Sequence, residues 1–497
     1  MMYSVDVQPV AIVAVSTALV SMAPWAMSTA AASPLWESGG GDVSGQAFSP
    51  RMTADSGDAA YFNPARLANQ SQRTDVAFSG LFGQLDITYG ERPDGVDISE
   101  RIYDARIEES DGTRRAPATR PLPTDDLPRQ RGDADPSFGH QYATVAATIP
   151  IIDDRWAVGM LTTVSAESFS LQQPYHVDER EQYFSNSLHF ERYGDRLVGA
   201  EFALGTGVAI TDAIRLGVGA TLAQDARSEN EMFSADATQP ENSEVNTAVE
   251  VSTRFVPHVG VDAEPVDGWT LSATAHAPYA NRVDGSNEIR FWNFPIGDEG
   301  EDVVEQDLSY LYDFEPWRIG AGSLVEWSGE RRDYEVGLHV QYDQWSNYVN
   351  RQGEIPQSTW RNTITPTISG AVDTGTDELR GDLQFSPSPV PTQRGRSNYV
   401  DNSIWAASAG WARQFTVLDW PVEVGVQTQF QWLVEREHQK SSDADDPVID
   451  EFPESIDAQS GETIEESRDF RTNNPGYPGY RSSGFVVGLG LVMGTEF

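Results

Sequence analysis

Cysteine is absent from this chain of 497 residues, and lysine occurs only once, at Lys440. The absence of cysteine excludes disulfide bonds, thiolate metal sites and a cysteine nucleophile. Long apolar runs are also missing after the first 32 residues. No run there reaches the roughly 18 residues of a membrane-spanning helix, which argues against a helical membrane protein. A large chain of this kind outside the cytoplasm must rely on burial and hydrogen bonding, as a closed β-sheet does.

Positive charge is scarce as well. The chain has 76 acidic and 34 basic residues, for a formal net charge of -42, so nearly all of its positive charge is arginine. Such a surface repels phosphate backbones, and we expect no nucleic-acid partner. The acidity fits solubility, acidic external loops or life in high salt better than a specific acidic function.

The first 32 residues are predicted to form a signal peptide. Their apolar centre runs roughly from Val10 to Trp25, and Ala30–Ala32 offers a cleavage site of small residues. The segment before the apolar centre contains Asp6 and no Lys or Arg, although signal peptides usually begin with positive charge. An N-terminal membrane anchor is the alternative, but no basic flank follows the apolar stretch.

Pairs of strand-like segments dominate the rest of the chain. Each pair is separated by a short turn and predicts a β-hairpin; the pairs are Tyr142–Ile151 with Trp156–Leu171, Leu197–Ile210 with Ile214–Gln224, Val249–Ala263 with Trp269–Tyr279, Ile319–Trp327 with Tyr334–Tyr342, and Trp405–Phe415 with Val422–Leu433. Long connections are predicted at 91–137, 174–195, 226–247, 282–315, 350–401 and 436–479. Alternating short turns and long loops are typical of an outer-membrane barrel with periplasmic turns and extracellular loops.

The strand-like segments alternate, as in Leu216–Leu222 and Val422–Gln427. One face is apolar and suits lipid, whereas the other is small or polar and suits a lumen. Tryptophans near predicted strand ends suggest aromatic girdles, namely Trp156, Trp269, Trp317, Trp327, Trp345, Trp405, Trp411, Trp420 and Trp432. Core aromatics of a soluble β-protein are the alternative. The pattern predicts an all-β fold, a transmembrane antiparallel β-barrel of 12 to 14 strands.

The last segment, Gly484–Phe497, alternates and stops on an aromatic residue. It resembles the last-strand signal that bacterial outer-membrane barrels present to their assembly machinery. We therefore expect Phe497 to act as a barrel-assembly signal and the assembly machinery to be a partner.

The stretch Phe48–Gln70 differs from the strands because it is rich in small residues and precedes the first strand-like segment. Met52–Phe62 can form a short helix with Thr53 or Asp55 as its cap. Asn63-Pro64 should stop that helix, because a residue before proline is pushed out of helical geometry. We expect residues 33–72 to form a plug and residues 73–497 to form the barrel around it.

The plug segment resembles a known family. Phe62-Asn63-Pro64-Ala65, after a segment rich in Ala, Asp, Ser and Gly, is similar to the plug motif of the FadL-type transporters of long-chain fatty acids and other hydrophobic compounds. Later stretches are similar to the same family, namely 256–261 with 265–271, 342–348 and 395–402.

The resemblance implies a barrel of about 14 strands in the bacterial outer membrane, with an N-terminal hatch in its lumen. It implies passive uptake of a ligand that enters from outside, occupies a greasy pocket and leaves sideways through the wall. Phe62, Asn63, Pro64 and Ala65 are the expected gating residues. The expected partners are hydrophobic small molecules (long-chain fatty acids or hydrocarbons) and outer-membrane lipids, including lipopolysaccharide, and the protein should be a monomer.

Catalytic and metal-binding patterns are weak. His258, His276 and His339 lie on predicted strands and could join a hydrolase site, but no G-x-S-x-G or H-E-x-x-H motif occurs. The acidic run Asp443–Asp446 lacks the spacing of an EF-hand loop. We expect no enzyme activity, no cofactor and no metal. A solute-diffusion porin, and a surface adhesin or receptor barrel acting through its acidic loops, remain alternatives.

Overall fold

The computed structural model describes residues 34–39, 43, 45–91, 137–169, 188, 190–223, 226–235, 242–251, 254–292, 301–350, 353–418, 420–450, 470, 472 and 474–497. The predicted signal peptide at 1–32 lies outside these residues, as do most of the loop predicted at 91–137 and much of the one at 174–195. Within the described ranges, no helix is long and apolar enough to cross a membrane.

Antiparallel strands form most of the described structure. They are β1 (Arg73–Tyr89), β2 (Phe138–Ile152), β3 (Trp156–Ser165), β4 (Ala200–Thr211), β5 (Ile214–Ala223), β6 (Ala226–Ala235), β7 (Asn242–Val251), β8 (Arg254–Val266), β9 (Trp269–His276), β10 (Tyr279–Trp292), β11 (Glu301–Glu315), β12 (Arg318–Ser328), β13 (Asp333–Asp343), β14 (Thr363–Asp373), β15 (Asp377–Ser386), β16 (Ile404–Val417), β17 (Trp420–Gln439) and β18 (Gly479–Glu496).

Fourteen of these strands close into a barrel, and β6, β7, β10 and β11 form a separate sheet in the order β11-β10-β7-β6. The barrel closes where β1 pairs with β18, from Arg73 opposite Glu496 to Tyr89 opposite Tyr480. All five predicted hairpins occur as neighbouring strands of the barrel. Closure gives each of the fourteen strands a neighbour on both sides, as a sheet in lipid requires.

Short turns collect at one end of the barrel, here called the turn face, where Arg73 and Glu496 also lie. Long connections collect at the opposite end, the loop face. Along each strand the residues alternate between lipid and lumen. In β5, Ile214, Leu216 and Val218 are exposed and face outward, whereas Arg215 is buried. Such a continuous exposed apolar surface is that of a transmembrane barrel.

Three predicted loops contain regular structure. The connection predicted at 350–401 was wrong, because it holds the β14–β15 hairpin. Pro366 in β14 and the lumen-facing Asp382 in β15 break the apolar alternation that marks strands in the sequence. The connections predicted at 226–247 and 282–315 were wrong as well, because they hold most of β6, β7, β10 and β11.

One predicted girdle residue is misplaced. Trp345 is 8% exposed and packs in a buried hydrophobic cluster with Tyr348, Trp360, Tyr399 and Val390. It belongs to a short 3-10 turn, Trp345–Asn347, just after β13 ends, so the chain has already turned inward at this point. The other predicted girdle tryptophans are at least partly exposed.

The N-terminal segment lies inside the barrel as a plug of short helices. These are α1 (Pro34–Glu37), α2 (Pro50–Thr53) and α3 (Ala59–Phe62), followed by a 3-10 helix at Pro64–Asn69. The single helix predicted over Met52–Phe62 was wrong, as were its caps: Ser49 precedes α2 and Asp58 precedes α3.

A local polar turn separates α2 from α3. Both the backbone N–H and the hydroxyl of Ser56 donate to Asp58 Oδ1, at 3.3 and 3.2 Å. These side-chain bonds compete with the helical ones and favour a turn between the two helices.

A second segment enters the lumen from the loop face. Within the connection from β3 to β4, Phe190, Tyr193 and Leu197 are buried in one apolar cluster with Leu35 and Phe48 of the plug. Residues 190–197, called the inner loop below, therefore cover the plug from above. The sequence predicted only a long loop here.

Candidate functional site

The predicted gating motif lies at the junction between plug and wall. Helix α3 ends at Phe62, and Asn63 is extended with a φ of -156°, so the predicted helix stop is confirmed. Phe62, Asn63, Pro64 and Ala65 are all buried. Whether they gate the plug stays a prediction, but the structure shows what they contact.

Asn63 uses both ends of its amide. Its Oδ1 accepts from the backbone N–H of Ala65 at 3.2 Å, as expected from local turn chemistry. Its Nδ2 donates to the carbonyl of Arg51 at 3.2 Å and to Asp262 Oδ1 of β8 at 2.8 Å. Sequence analysis missed Asp262, which is 199 positions away and carries no local signal.

Asp262 is a buried carboxylate that ties three parts of the protein together. It accepts from Asn63 and from Ser272 Oγ of β9 at 2.7 Å, and its Oδ2 lies 3.9 Å from Arg66 Nη1. Arg66 itself donates to the carbonyl of Ala54 at 2.7 Å. Asp262 therefore joins the plug to β8 and β9 of the wall.

Glycines line the wall where the gating motif docks. A Cβ placed on Gly217 would lie 2.1 Å from the carbonyl carbon of Pro64, and one on Gly260 would lie 2.1 Å from Asn63 Oδ1. The plug can approach the wall this closely only because these positions have no side chain. An added Cβ would also clash at neighbouring glycines of the barrel wall. We call this surface the glycine wall, and it consists of Gly159, Gly205, Gly207, Gly217, Gly219 and Gly260.

Charged side chains hold the opposite side of the plug. We call Arg318 of β12, Asp343 of β13, and Arg380 and Asp382 of β15 the ionic wall. Arg380 Nη2 lies 2.5 Å from Asp55 Oδ2 of the plug. Asp382 accepts from the backbone N–H of Phe48 at 2.8 Å and from Ser49 Oγ at 3.1 Å.

Glu37 is the most heavily bonded carboxylate of the plug. Arg51 binds it with both Nη atoms, at 3.1 and 2.5 Å, and Tyr61 Oη donates to it at 2.7 Å. Arg318 Nη1 of the wall lies 3.5 Å away. Burial opposes ionisation of Glu37, but Arg318 and Arg51 outweigh burial and hold its pKa well below its usual range.

A cavity of about 100 Å³ lies between plug, inner loop and ionic wall. Its charged lining is balanced, with Arg51, Arg192, Arg196 and Arg318 against Glu37, Glu191, Glu315 and Asp343. Its aromatic lining includes Trp345, Tyr348 and Trp360, and the rings of Tyr348 and Trp360 stack at 3.6 Å. The resemblance implied a greasy pocket, whereas this one combines aromatic and ionised groups.

Trp360 Nε1 and Arg51 Nε are buried donors of the cavity lining that have no hydrogen-bond partner among the described atoms. A buried donor without a partner costs about 1–3 kcal/mol, so such positions favour an acceptor from a ligand or water.

The inner loop is pinned above this cavity by an arginine. Arg192 Nε and Nη2 donate to the two carboxylate oxygens of Asp401, at 2.7 and 3.1 Å. Burial opposes the charge of Arg192, but Asp401 outweighs it and raises the arginine's pKa. Phe190 also forms a β-bridge with Val400.

The strand histidines contact the plug. His258 Nε2 lies 2.6 Å from the carbonyl of Ala60, and its ring stacks on His276 at 4.8 Å. The ring of Tyr61 lies 5.0 Å from that of His276. Across the described ranges, no group of three His, Cys, Asp or Glu side chains is placed to hold a metal ion. The acidic run at 443–446 instead pairs with Arg396, whose Nη2 lies 2.6 Å from Asp446.

The hydrogen-bond ladder of the wall is interrupted between β14 and β15. Their pairing runs from Asp373–Glu378 at the turn face only as far as Thr367–Gln384. In the described range 353–418, residues 363–366 of β14 have no strand partner on β15. Pro366 lies within this unpaired stretch and Pro387 follows the end of β15, and neither residue can donate a backbone hydrogen bond to a ladder.

The cavity reaches this interruption from inside. Thr363 and Thr365 of one margin and Gln384 and Ser386 of the other all line it. Above the interruption, the backbone N–H of Arg361 donates to the carbonyl of Pro389 at 2.8 Å and rejoins the two segments.

Phe497, the predicted assembly signal, lies at the turn face. Its N–H donates to the carbonyl of Gln72 at 3.0 Å, and its ring lies 5.0 Å from that of Trp420. Its proposed role in assembly stays a prediction.

These features define a class of protein: a transmembrane β-barrel whose lumen is filled by an N-terminal plug. A scan against protein-family models finds no match, and a search of curated proteins finds none either. Among solved structures, the chain is similar to a FadL homologue from Pseudomonas aeruginosa, with 14% identity and a TM-score of 0.52 over 95% of this chain and 99% of that chain. This likeness establishes the fold, so the FadL-type architecture implied by the sequence is confirmed.

The chain is also similar to the toluene transporter TodX from P. putida, with 11% identity and a TM-score of 0.44 over 88% of this chain and 94% of that chain.

Proposed function

We propose that this protein is an outer-membrane channel for passive uptake of hydrophobic compounds such as long-chain fatty acids. The observation that carries the proposal is the filled lumen, in which plug and inner loop leave a cavity of about 100 Å³. A lumen filled in this way would block polar solutes, whereas a diffusion porin needs a water-filled bore. The protein would act as a monomer among outer-membrane lipids, without catalysis or a cofactor.

The lining of the cavity supports an amphiphilic ligand. Trp345, Tyr348 and Trp360 offer apolar surface to an alkyl chain. The unpartnered donors Arg51 Nε and Trp360 Nε1 offer hydrogen bonds to a carboxylate. Ligand pockets usually measure roughly 300–1,000 Å³, so a long chain can enter only if the plug or the inner loop moves.

The gating role belongs to the plug in this proposal. Asn63 and Pro64 would stay fixed on the glycine wall, while the side of the plug facing the ionic wall moves. Phe62 and Ala65 flank this fixed point and would complete the hinge.

The interruption between β14 and β15 is the proposed lateral exit. The cavity lining includes both of its margins, and it lies in the half of the wall nearer the loop face. An apolar ligand leaving there would pass directly into the hydrocarbon layer without crossing water.

The function is tested in proteoliposomes. Purified protein should take up labelled oleate without an energy source, and sugars should not swell the vesicles. Rapid swelling with sugars would favour the diffusion porin. If the protein takes up no oleate but binds a partner at its surface, the adhesin or receptor barrel would be favoured.

The exit is tested by closing it. The chain has no cysteine, so T365C/S386C can be joined by a short bifunctional thiol reagent without side reactions. Cross-linking should block oleate uptake, and the matched pair A203C/T221C, which joins the paired strands β4 and β5, should not. Uptake that survives the first cross-link would rule out this exit.

A further inference from the structure

Glu37 occupies a site that is built to bind a carboxylate. We propose that Glu37 is a tethered competitor in a carboxylate site formed by Arg51, Arg318 and Tyr61, and that an incoming anionic ligand displaces it and so releases the plug. The inference rests on the proposed function for the identity of its ligand. The role of Glu37 in holding the plug can be tested without that ligand.

The geometry is that of a ligand site. Arg51 grips the carboxylate with two parallel bonds, at 3.1 and 2.5 Å, which is the preferred arrangement of guanidinium and carboxylate. Tyr61 Oη adds a third bond at 2.7 Å, and Arg318 a charge at 3.5 Å. A free carboxylate has the same planar pair of oxygens and can make the same bonds.

The local charge favours exchange over addition. Arg318 is shared with two carboxylates of the chain outside the plug, Glu315 at 2.5 Å and Asp343 at 3.1 Å. With Glu37, the cluster holds three carboxylates and only two guanidinium groups, Arg318 and Arg51. A ligand carboxylate added to this cluster would meet repulsion, whereas one that replaces Glu37 leaves the charge unchanged.

Hydrogen-bond donors that could bind a ligand first lie beside the occupied site. Arg51 Nε and Trp360 Nε1 are buried donors without partners and belong to residues that line the same cavity as Glu37. A ligand carboxylate can therefore bond to the far edge of the Arg51 guanidinium before it takes the edge that Glu37 holds.

Release of Glu37 would free the N-terminal end of the plug. Among the described residues around α1, other bonds to the wall run from Gln431 Nε2 to Ser38 O, from Gln429 Nε2 to Gly39 O and from Trp36 Nε1 to Thr163 Oγ1. These bonds join neutral groups, and each is weaker than a charge-assisted bond such as the one between Glu37 and Arg318 that would be lost. Because the pKa of Glu37 is held so low, protons do not release it near neutral pH, and a competing anion can.

The experiment compares Glu37→Gln with Asp212→Asn. Both remove one carboxylate charge that pairs with an arginine, but Asp212 lies in an exposed pair with Arg155, away from the plug and the cavity. Binding of oleate and of uncharged oleyl alcohol is measured by titration, and polar leakage by single-channel conductance without ligand. Heat-modified gel mobility confirms that each barrel is folded. Glu37→Asp tests whether a shorter side chain with the same charge still keeps the channel closed.

We expect E37Q to bind oleate at least tenfold more tightly than wild type, to bind oleyl alcohol unchanged, and to conduct without ligand. D212N should stay closed until oleate is added. A folded E37Q with wild-type oleate affinity and wild-type conductance overturns the inference. If the wild-type protein binds no oleate, the proposed function fails. If E37Q also stays closed without ligand, Glu37 does not hold the plug and the inference fails as well.

Discussion

The two walls of the lumen hold the same plug by different physical means. On the glycine wall, the plug packs directly against strand backbone, and the buried carboxylate of Asp262 accepts a hydrogen bond from Asn63. On the ionic wall, Arg318, Arg380 and Asp382 reach the plug with charged side chains, and the cavity lies beside them. Close packing has one geometry, whereas ion pairs can exchange partners. The difference assigns a fixed dock to one wall and a releasable latch to the other.

The largest effect should come from adding a methyl group to the dock. In Gly217→Ala the new Cβ would lie 2.1 Å from a backbone carbon of Pro64, so the plug must shift. Overpacking typically costs about 1–3 kcal/mol, and so short a contact with backbone belongs at the upper end, at about 3 kcal/mol or roughly 150-fold in docking. Single-channel conductance should rise. Gly370→Ala, whose nearest contact would be an ordinary 3.5 Å, is the control. If both variants stay closed, the glycine wall is not the dock.

Removing the amide of Asn63 should have the next largest effect. Asn63→Ala loses the bonds to Asp262, to the Arg51 carbonyl and to the Ala65 N–H, and leaves Asp262 with fewer donors. At about 1 kcal/mol each, the plug should be destabilised by about 2–3 kcal/mol.

Oleate uptake and leakage measure this change, with thermal unfolding as a check on the barrel. Asn362→Ala removes an amide that bonds to Ser346 and Tyr342 away from the plug, and it should leave both readouts at wild-type levels. Equal effects from the two asparagines would deny Asn63 a special role.

Neutralising a single charge at the ionic wall should have a smaller effect on plug docking. Asp55→Asn removes the charge facing Arg380, but Arg380 keeps Glu378, at 2.6 Å. The side chain of Asp55 is 35% exposed, so solvent screens the pair and the cost should be about 1 kcal/mol. Leakage should rise slightly in wild type with added salt and should lose that salt dependence in the variant. Asp212→Asn, in an exposed pair with Arg155, is the control.

The sequence predicted the barrel well because lipid demands an apolar residue at every second position. It failed at β14 and β15, where Pro366 and lumen-facing charges interrupt that alternation. For Asn63, the helix stop and the local bond to Ala65 follow from residue chemistry, and both are present. The bond to Asp262 depends on which strand faces the plug, and so on the register of the closed barrel, which no local pattern encodes.

The smallest effect should come from mild acid, and it separates the two kinds of attachment. Burial opposes ionisation of Asp55, but Arg380 outweighs it and lowers its pKa from 3.8. Glu37 is shifted in the same direction from 4.5. Groups with a depressed pKa stabilise docking fully above their ordinary pKa, and this contribution is lost only as the pH falls through the lower value of the docked state. Conductance should therefore stay flat from pH 8 to about pH 4.5 and rise only in stronger acid. In Asn63→Ala, which relies more on the ionic wall, that rise should begin first. A wild-type channel that opens near pH 6 would show that carboxylates with a depressed pKa do not hold the plug.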